Sequence, residues 1–516
     1  MLTDDFEGIV NSTTVCTPIA QSMDDALPGA MERLLRSAVL FACMAALLLT
    51  CLRILGHGYS PVDDALRHVA KVLSGKQWGE ILVIRPEIVM DSHPGWHFIL
   101  KLATRITGPD PTLLLDFSVL FLFLLFVLTP LFFFDRPEAW ILSLLAFSLF
   151  SFGTICRLFF GRPFVFSMLL IVLFCFLWER MRDKRAPIVE LALFAIISAL
   201  VTWIHGAWYL LALPICALGL ARQWRVLALM AAAAAAGILL GASLTGRPLT
   251  LLNQMIYQAA LAVGHHDFQR QLVSELQPFD GSPISIVVIA AMLIWRCARG
   301  QWNKECVDNP VFILGVLGWA LGLVAVRLWS DWGWPALAFW TAREIEVVLK
   351  KYLGEFDPRR LVVTAAACLV LFLALSNDHG SRWTGMLGVQ WPQMTNAEHK
   401  KWLPEREGIL YSDGMDVFYS IFYNNPHGDW KYVLGFEPVW MPEDDLKIYR
   451  HIQLTRGKPE SYAPWIGKMT EKDRLVLVRQ EQPKVEGLEW HEVTLTVWSG
   501  RRVAGAQQPA KDEVLE

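Results

Sequence analysis

The 516-residue sequence has little charge and little excess of either sign. Lysine, arginine, aspartate and glutamate make up 18% of the residues, and the formal net charge is -3. This balance argues against nucleic acid as a partner. The start of the chain also lacks the basic first segment and small-residue cleavage site of a signal peptide. We therefore interpret the first apolar run as a retained membrane span.

Cysteine is absent after Cys368, so the whole C-terminal region has none. The nine cysteines lie in or near apolar segments or in loops expected to be cytoplasmic. Neither a disulfide framework nor a structural zinc site is predicted from such a distribution. A nucleotide-sugar fingerprint is also missing.

Long apolar segments, in contrast, are abundant, and 54% of the residues are hydrophobic. A helix of roughly 20 residues crosses a hydrocarbon core of roughly 30 Å. We therefore predict an α-helical polytopic membrane protein with about 11 spans and a small C-terminal soluble α/β domain. The expected spans lie near 34–52, 112–134, 138–156, 163–178, 188–204, 207–220, 226–244, 283–296, 311–327, 333–348 and 361–376.

Basic connections between the apolar segments give the expected orientation. The loops at 179–185, 221–225, 296–304 and 350–360 are rich in lysine and arginine and fall on one side, which is then the cytoplasm. The predicted organisation is a cytoplasmic segment at 1–32, a transmembrane domain at 33–376 with outer loops at 53–111 and 245–283, an extracytoplasmic α/β domain at 377–502, and a disordered tail at 503–516.

The first outer loop carries an adjacent acidic pair, Asp63 and Asp64. Apolar residues recur at helical spacing from Asp64 to Leu73, which predicts a short amphipathic helix lying in the membrane interface. The pair would stand at the helix N-terminus, where unpaired N–H groups favour negative charge. Two roles stay open for Asp63, an N-cap or a catalytic carboxylate.

Most other unusual polar residues of the membrane half fall on the outer side in this topology. Ionisable groups at span ends mark a pathway or a site more often than they mark stability. Each also has an ordinary explanation, such as a snorkelling arginine or a histidine satisfied within the bundle. The candidate substrate-binding or phosphate-binding residues are His68, Asp91, His93, Arg157, Arg162, His205, Arg247 and Arg327.

The second outer loop resembles the first in design. A Gly-Arg-Pro turn precedes the amphipathic segment LLNQMIYQAALAV, which predicts a helix. His265, His266 and Asp267 follow it and could ligate a divalent metal, although adjacent side chains diverge. Such a site would need Asp63 or Asp64 to complete it, and no other cofactor is expected.

The region after residue 376 alternates strand and helix patterns, which predicts a small α/β layer. GILYSDG, DWKYVLGFEP, RLVLVRQ and HEVTLTVWSG are each expected to form one strand. MDVFYSIFYNNP and MPEDDLKIYRHIQLTRG are expected to form helices that end at Pro426 and Gly457.

Two stretches carry a family resemblance. The acidic pair in PVDDALRHVAKVLSG, directly after the first span, and the downstream HPGWHFILKL resemble the first outer loop of the GT-C class of integral membrane glycosyltransferases. HPGW stands where a double proline is commoner in that class. The stretch from ILYSDGMDVF to LKIYRHIQ looks like the soluble domain of uncharacterised bacterial members.

The resemblance implies a function. It implies transfer of a hexose or pentose from a polyprenyl-phosphate-linked donor to a glycan, lipid or protein acceptor, on the outer face of a bacterial inner membrane, as part of the cell envelope. Asp63 matches the position of the catalytic base and Asp64 that of its partner, while arginines suit the departing phosphate. The alternatives are a transporter or flippase for a lipid-linked or anionic substrate, and a non-catalytic envelope assembly protein.

Overall fold

Helices form most of the chain up to residue 376. The computed structural model describes residues 19–150, 152–182, 184, 186–264, 273–278, 283–300, 304, 307–354 and 357–503. The helices of this part are α1 (Ile19–Gly56), α2 (Asp64–Ser74), α3 (Trp78–Ile81), α4 (Pro94–Thr107), α5 (Pro111–Leu128), α6 (Pro137–Phe150), α7 (Phe152–Cys156), α8 (Phe164–Met181), α9 (Ile188–Ile204), α10 (Ala212–Leu220), α11 (Trp224–Ser243), α12 (Pro248–Gly264), α13 (Pro283–Ala298), α14 (Pro310–Gly322), α15 (Val326–Leu328), α16 (Trp334–Tyr352) and α17 (Arg359–Ser376).

Five of the described helices are long and apolar enough to cross a membrane, so the chain is an integral membrane protein. A sixth crossing results if the pair Pro137–Leu149 and Gly153–Phe159, bent by 113°, is one broken span. The expected count of about eleven is therefore not confirmed. Several of the other apolar segments do form helices, but these are shorter, and α16 carries charged residues along its second half. The five are Arg33–Gly56, Pro111–Phe132, Phe164–Met181, Trp224–Ser243 and Arg359–Ser376.

Helices α9 and α11 pack closely because small residues line their contact. A Cβ atom added to Gly237 would lie 2.2 Å from the Ala195 carbonyl oxygen, and one added to Gly241 would lie 2.2 Å from that of Ala199. Small residues at a membrane-helix contact allow two backbones to approach in this way. The contact between α9 and α11 fixes the position of the C-terminal end of α9, and His205 is the next residue.

Helix α2 begins and ends with recognisable caps. The Asp63 carboxylate accepts a hydrogen bond from the Ala65 backbone N–H, and Gly75 ends the helix with φ of 67°. Helix α2 contacts α4 and α5 on one side and a helix of the C-terminal domain on another. Seven of its eleven residues are buried, so protein covers the helix where a membrane-surface helix with an open polar face was expected.

The C-terminal domain is built on a five-stranded sheet with strand order β2-β1-β3-β5-β4. Strand β1 pairs in parallel with β2 and β3, while β5 pairs antiparallel with β3 and β4. Its elements are α18 (Ala397–Lys400), β1 (Ile409–Tyr411), α19 (Met415–Asn424), β2 (Lys431–Tyr432), α20 (Glu443–Leu454), α21 (Ala463–Lys468), β3 (Arg474–Val478), β4 (Leu488–Thr494) and β5 (Val497–Arg502).

One strand prediction in this domain is wrong. The segment HEVTLTVWSG was expected to form a single strand, but it divides between β4 and β5, which form a hairpin. Thr496 lies between them with φ of 66°, a left-handed conformation that reverses the chain. The alternation of apolar and polar residues continues through the turn, so the sequence pattern gives no sign that the chain reverses there.

The first long loop docks on the sheet. Leu82 forms a parallel bridge with Tyr432 in β2, and the Val83 N–H donates to the Tyr432 carbonyl at 2.9 Å. Arg85 is hydrogen bonded through its backbone N–H to the Trp440 carbonyl at 2.9 Å and forms an ion pair with Glu443 at 2.8 Å. The loop and the C-terminal domain therefore form one wall beside α2.

Candidate active site

The two adjacent carboxylates stand at the start of α2 but have different surroundings. Asp64 accepts hydrogen bonds from Arg67 Nε at 2.7 Å and from Arg162 Nη2 at 2.8 Å. For Asp63 the nearest paired guanidinium nitrogen is Arg162 Nη1, at 3.8 Å. The Asp64 side chain is 14% exposed and the Asp63 side chain 31%. Asp64 is thus held by hydrogen bonds from two arginines, whereas the Asp63 carboxylate is more accessible to a ligand.

A glycine turn positions Arg162. Gly161 has φ of 63°, and its carbonyl accepts a hydrogen bond from Ser118 Oγ of α5 at 2.6 Å. Pro163 then leads directly into α8. From this turn Arg162 Nη1 reaches Glu275 Oε1 at 2.6 Å, which ties the second long loop to the first.

Two further arginines and one further aspartate extend the ion pairs. Arg157 donates to Asp331 Oδ1 at 2.9 Å and to Glu275 at 3.2 Å. Arg327 lies 3.3 Å from Asp331 and 3.9 Å from Glu275. We call the resulting set of four acids and four arginines the charged cluster: Asp63, Asp64, Arg67, Arg157, Arg162, Glu275, Arg327 and Asp331.

The position of Asp331 comes from a π-helical turn, Trp329–Gly333, between α15 and α16. A Cβ atom on Gly318 of α14 would lie 2.4 Å from the Gly333 Cα, so the two backbones touch. Turns of this type occur frequently at functional sites. Here the turn places a carboxylate that is 1% exposed against Arg157.

The pKa values of Asp63 and Asp64 are shifted in opposite directions. Burial and repulsion from Asp64 outweigh the attraction of Arg162 and raise the pKa of Asp63 to about 6. Burial acts on Asp64 as well, but the guanidinium groups of Arg67 and Arg162 hold the pKa of that carboxyl well below its usual range. Asp64 is therefore ionised throughout the physiological range, and Asp63 can gain or lose a proton near neutral pH.

A group of histidines adjoins the charged cluster. Asp91 is hydrogen bonded to His97 Nδ1 and accepts a further hydrogen bond from Trp78 Nε1 at 3.2 Å. His97 Nε2 lies 2.9 Å from His68 Nδ1. Burial lowers the pKa of His68 well below its usual value, reinforced by Arg67, so this imidazole is neutral. Asp91, His97 and His68 therefore form one hydrogen-bonded chain that ends at His68 Nε2.

His93 and His205 complete the group. The ring centroid of His93 lies 5.0 Å from that of His68 and 6.0 Å from that of His205. His205 contacts Ser167 Oγ through Nδ1 at 2.7 Å and Arg327 Nη2 through Nε2 at 3.2 Å. Burial lowers the pKa of His93, as it does for His68. The histidines therefore join the loop-one helix to the end of α9.

Several buried nitrogen atoms in this region have no hydrogen-bond partner among the described residues. They include Arg67 Nη1, His68 Nε2 and His93 Nδ1. Arg67 and His68 are 2% and 1% exposed. Buried polar atoms are almost always hydrogen bonded in proteins, so a group of unpaired ones indicates a place for a ligand.

The C-terminal domain supplies part of the site wall. Burial and the negative charge of Asp64 raise the pKa of Tyr419 in α19, and the Arg67 guanidinium lies 3.6 Å from the ring centroid of Phe436. Burial and the negative charge of Asp64 raise the pKa of Glu437 to about 7. Both Tyr419 and Glu437 therefore respond to the charge on the acidic pair.

A cavity of about 410 Å³ opens beside Asp63. Tyr59, Asp63 and Phe160 line one side, and Arg382 and Trp383 line the other. The half-buried Asp63 carboxylate thus lines a space large enough for a sugar-sized group, while Asp64 faces the arginines.

Most of the sequence-predicted site residues meet here. Arg247 does not: it is exposed at the start of α12 and takes part in none of the cluster's ion pairs. His265, His266 and Asp267 lie outside the described residues, so the metal site predicted on them stays a prediction. The site residues that the sequence did not point to are Arg67, Glu275, Tyr419 and Glu437.

Comparisons with known proteins identify the fold. No protein-family model matches the chain, and no curated protein matches it. Among solved structures, the oligosaccharyltransferase AglB of Archaeoglobus fulgidus, in complex with an inhibitory peptide and a dolichol-phosphate, is similar over 84% of this chain and 69% of that one, at 12% identity and a TM-score of 0.50.

Two more structures from the same organism are similar at 12% identity and over 84% of this chain. The apo form of an oligosaccharyltransferase covers 69% of that chain with a TM-score of 0.51. A complex with zinc and sulfate covers 67% of that chain with a TM-score of 0.43. The first two matches support the GT-C-type membrane fold predicted from the first loop and the apolar segments.

Proposed function

We propose that the chain is a membrane glycosyltransferase that moves a sugar from a polyprenyl-phosphate-linked donor to a hydroxyl group of a glycan, lipid or protein. The observation that carries the proposal is the acidic pair at the start of α2. One carboxylate is fixed in its ionised form by two arginines. Its neighbour is half-buried, lines a cavity and has a pKa of about 6. Carboxylates with pKa values set apart in this way are typical of acid–base catalysis.

Asp63 is the proposed general base. It accepts the proton of the acceptor hydroxyl, whose oxygen forms a bond to the anomeric carbon of the sugar. The bond from that carbon to the phosphate oxygen breaks, and its electron pair leaves with the lipid phosphate. A base works best when its pKa lies close to the working pH, which suits Asp63 better than the strongly acidic Asp64.

The departing phosphate needs positive charge and hydrogen-bond donors. Arg67 Nη1 and His93 Nδ1 are buried and unpaired among the described residues, and Arg327 is 31% exposed at the edge of the cluster. These three groups form the proposed phosphate site. His68 Nε2, which has no partner among the described residues and ends the hydrogen-bond chain from Asp91, suits a hydroxyl of the donor sugar.

The solved structure with a dolichol-phosphate supports a lipid-linked donor for a chain of this fold. At 12% identity the support concerns the fold, so the step from fold to reaction is analogy. We retain as proposals the extracytoplasmic site, the cytoplasmic N-terminus, the bacterial inner membrane and a hexose or pentose as the transferred sugar.

The test is sugar transfer by purified protein in nanodiscs from a panel of radiolabelled polyprenyl-phosphate sugars. We expect Asp63→Asn to lose about 10³-fold in rate, as for loss of a general base. We expect Asp64→Asn to lose activity mainly through displaced arginines, with less effect at saturating donor. Folding of both variants is checked by thermal unfolding. Equal transfer by Asp63→Asn and wild type would refute the role of Asp63, and no transfer from any donor would favour a transporter or an assembly protein.

A further inference from the structure

We infer that the Arg162 guanidinium is a built-in cation that holds Asp63, Asp64 and Glu275 together, in the place that a divalent metal would otherwise take. The inference rests on the proposed function, because it concerns the same carboxylates. It starts from one observation: carboxylates from two separate loops converge on one side chain. Arg162 lies 2.8 Å from Asp64, 2.6 Å from Glu275 and 3.8 Å from Asp63.

Both oxygens of Asp64 and one oxygen of Glu275 already accept hydrogen bonds from arginine N–H groups. A divalent cation binds carboxylate oxygens at about 2.0–2.6 Å, so it must approach the same lone pairs that Arg162 uses. Asp64 Oδ2 and Glu275 Oε1 each accept from a different Arg162 nitrogen. In the described part of the chain, no group of three or more histidine, cysteine, aspartate or glutamate side chains is arranged to hold a metal ion.

The charge of the cluster is also balanced without a metal. The four carboxylates Asp63, Asp64, Glu275 and Asp331 are matched by four guanidinium groups, each in contact with at least one of them. A divalent cation would add two uncompensated positive charges to a largely buried network, and uncompensated buried charge is strongly unfavourable. The described residues of the charged cluster therefore do not fit a metal ion.

Arg162 is also held so that it cannot easily move aside. Its guanidinium lies 5.2 Å from the ring centroid of Phe164, and its side chain is 16% exposed. Gly161 before it has φ of 63°, and a Cβ atom there would meet Ser118 Oγ at 3.0 Å. An arginine keeps its charge at any physiological pH, so it supplies a permanent positive charge at a fixed place.

The test removes this cation and asks whether a metal takes its place. Wild type, Arg162→Ala and the control Arg247→Ala are purified in nanodiscs and treated with EDTA. Mn²⁺ binding is then followed by the loss of the free Mn²⁺ signal in electron paramagnetic resonance. We expect Arg162→Ala to bind Mn²⁺, because three carboxylates lose their shared partner. Wild type and Arg247→Ala should bind none, and adding Glu275→Gln to Arg162→Ala should abolish the binding.

Sugar transfer gives the second readout. Wild-type transfer should be unchanged by EDTA, and Arg162→Ala should lose about 100-fold, comparable with removal of one electrostatic stabiliser. Mn²⁺ should restore part of that loss. The inference is wrong if wild type binds Mn²⁺ in a manner abolished by Asp64→Asn, or if folded Arg162→Ala binds none. Because the wild-type binding test does not use Arg162→Ala, misfolding of that variant leaves the inference testable.

The two readouts also separate this inference from the proposed function. If wild type transfers no sugar but the Mn²⁺ results hold, the built-in cation stands and the glycosyltransferase proposal fails. If transfer occurs but requires a divalent metal, the proposed function stands and the inference fails.

Discussion

The two ends of helix α8 both carry buried ion pairs, but they differ in whether every carboxylate has a guanidinium group at close distance. At the end near Met181, Arg343 lies 2.7 Å from Glu179 and 2.6 Å from Glu346. Close by in the fold, Arg360 lies 2.9 Å from Glu138. We call these five residues the far network. Each of its three carboxylates has a guanidinium nitrogen within 3.0 Å.

At the end near Phe164, one carboxylate of the charged cluster is left out. Asp63 has its nearest guanidinium nitrogen at 3.8 Å, while Asp64, Glu275 and Asp331 have theirs at 2.7, 2.6 and 2.9 Å. The unpaired nitrogens of Arg67, His68 and His93 lie at this end as well. A buried ion pair alone therefore does not indicate a functional site. The informative feature is a charged group that has no close partner and can contact a ligand.

Cavity size also fails to distinguish the two ends. A larger cavity, of about 580 Å³, lies at the far end, lined by Trp178, Arg222 and Trp224 among others. The smaller one, of about 410 Å³, contains Asp63. The smaller cavity is the better candidate because it holds a group that can exchange a proton near neutral pH.

The largest expected effect comes from breaking one ion pair at each end. Glu275→Gln removes the shared partner of Arg157 and Arg162, and we expect the transfer rate per folded molecule to fall about 100-fold or more. Glu138→Gln leaves Arg360 buried without its carboxylate, and we expect a loss of about 3–5 kcal/mol of stability. The rate of the folded Glu138→Gln protein should stay close to that of wild type.

Both variants are measured by thermal unfolding and by transfer normalised to folded protein. The comparison between the two ends fails if Glu138→Gln reduces the normalised rate as much as Glu275→Gln does. It would then follow that the whole bundle, and not one end, determines activity.

A smaller effect is expected from pH. Burial raises the pKa of Asp63 to about 6, so its carboxylate is ionised above that pH and gains a proton below it. A base must be ionised to accept a proton, so kcat/KM should be level above about pH 6 and should fall about tenfold per pH unit below it. His68 and His93 should not contribute, because burial holds the pKa of each well below the usual value.

Protonation of Glu437 could produce a similar pH dependence, since burial raises its pKa to about 7. The profile is therefore repeated with Glu437→Gln. A descending limb near pH 6 in both proteins would assign it to Asp63, whereas its disappearance in Glu437→Gln would assign it to Glu437.

Local patterns predicted much of the secondary structure. The helix after Asp64 and the cap at Asp63 follow from spacing and from helix-end chemistry, and both are present. The span count does not follow, because an apolar segment in a helical bundle need not be long enough to cross a membrane. The hairpin at Thr496 was hidden because a left-handed residue is not visible in an apolar alternation.

The site was only partly predictable for a different reason. Composition and the predicted membrane topology indicated residues that differ from their surroundings, such as His93 and Arg162. They gave no means of pairing charges across the chain, so Glu275 was passed over although it stands in the second outer loop, which had been singled out. An acid is recognised as part of a site only when its arginine partner is known, and that partner can lie more than a hundred residues away.

The smallest expected effect tests this point directly. Arg162 and Arg247 stand in identical Gly-Arg-Pro turns, and Gly161 and Gly246 have φ of 63° and 73°. A Cβ atom on Gly161 would meet Ser118, whereas one on Gly246 would meet nothing within 4 Å. Because Arg247 is exposed and outside the charged cluster, Arg247→Ala should change the transfer rate less than about twofold and stability by no more than about 0.5 kcal/mol. A loss as large as that of Arg162→Ala would mean that the turn sequence, and not the carboxylates it faces, determines which arginine acts.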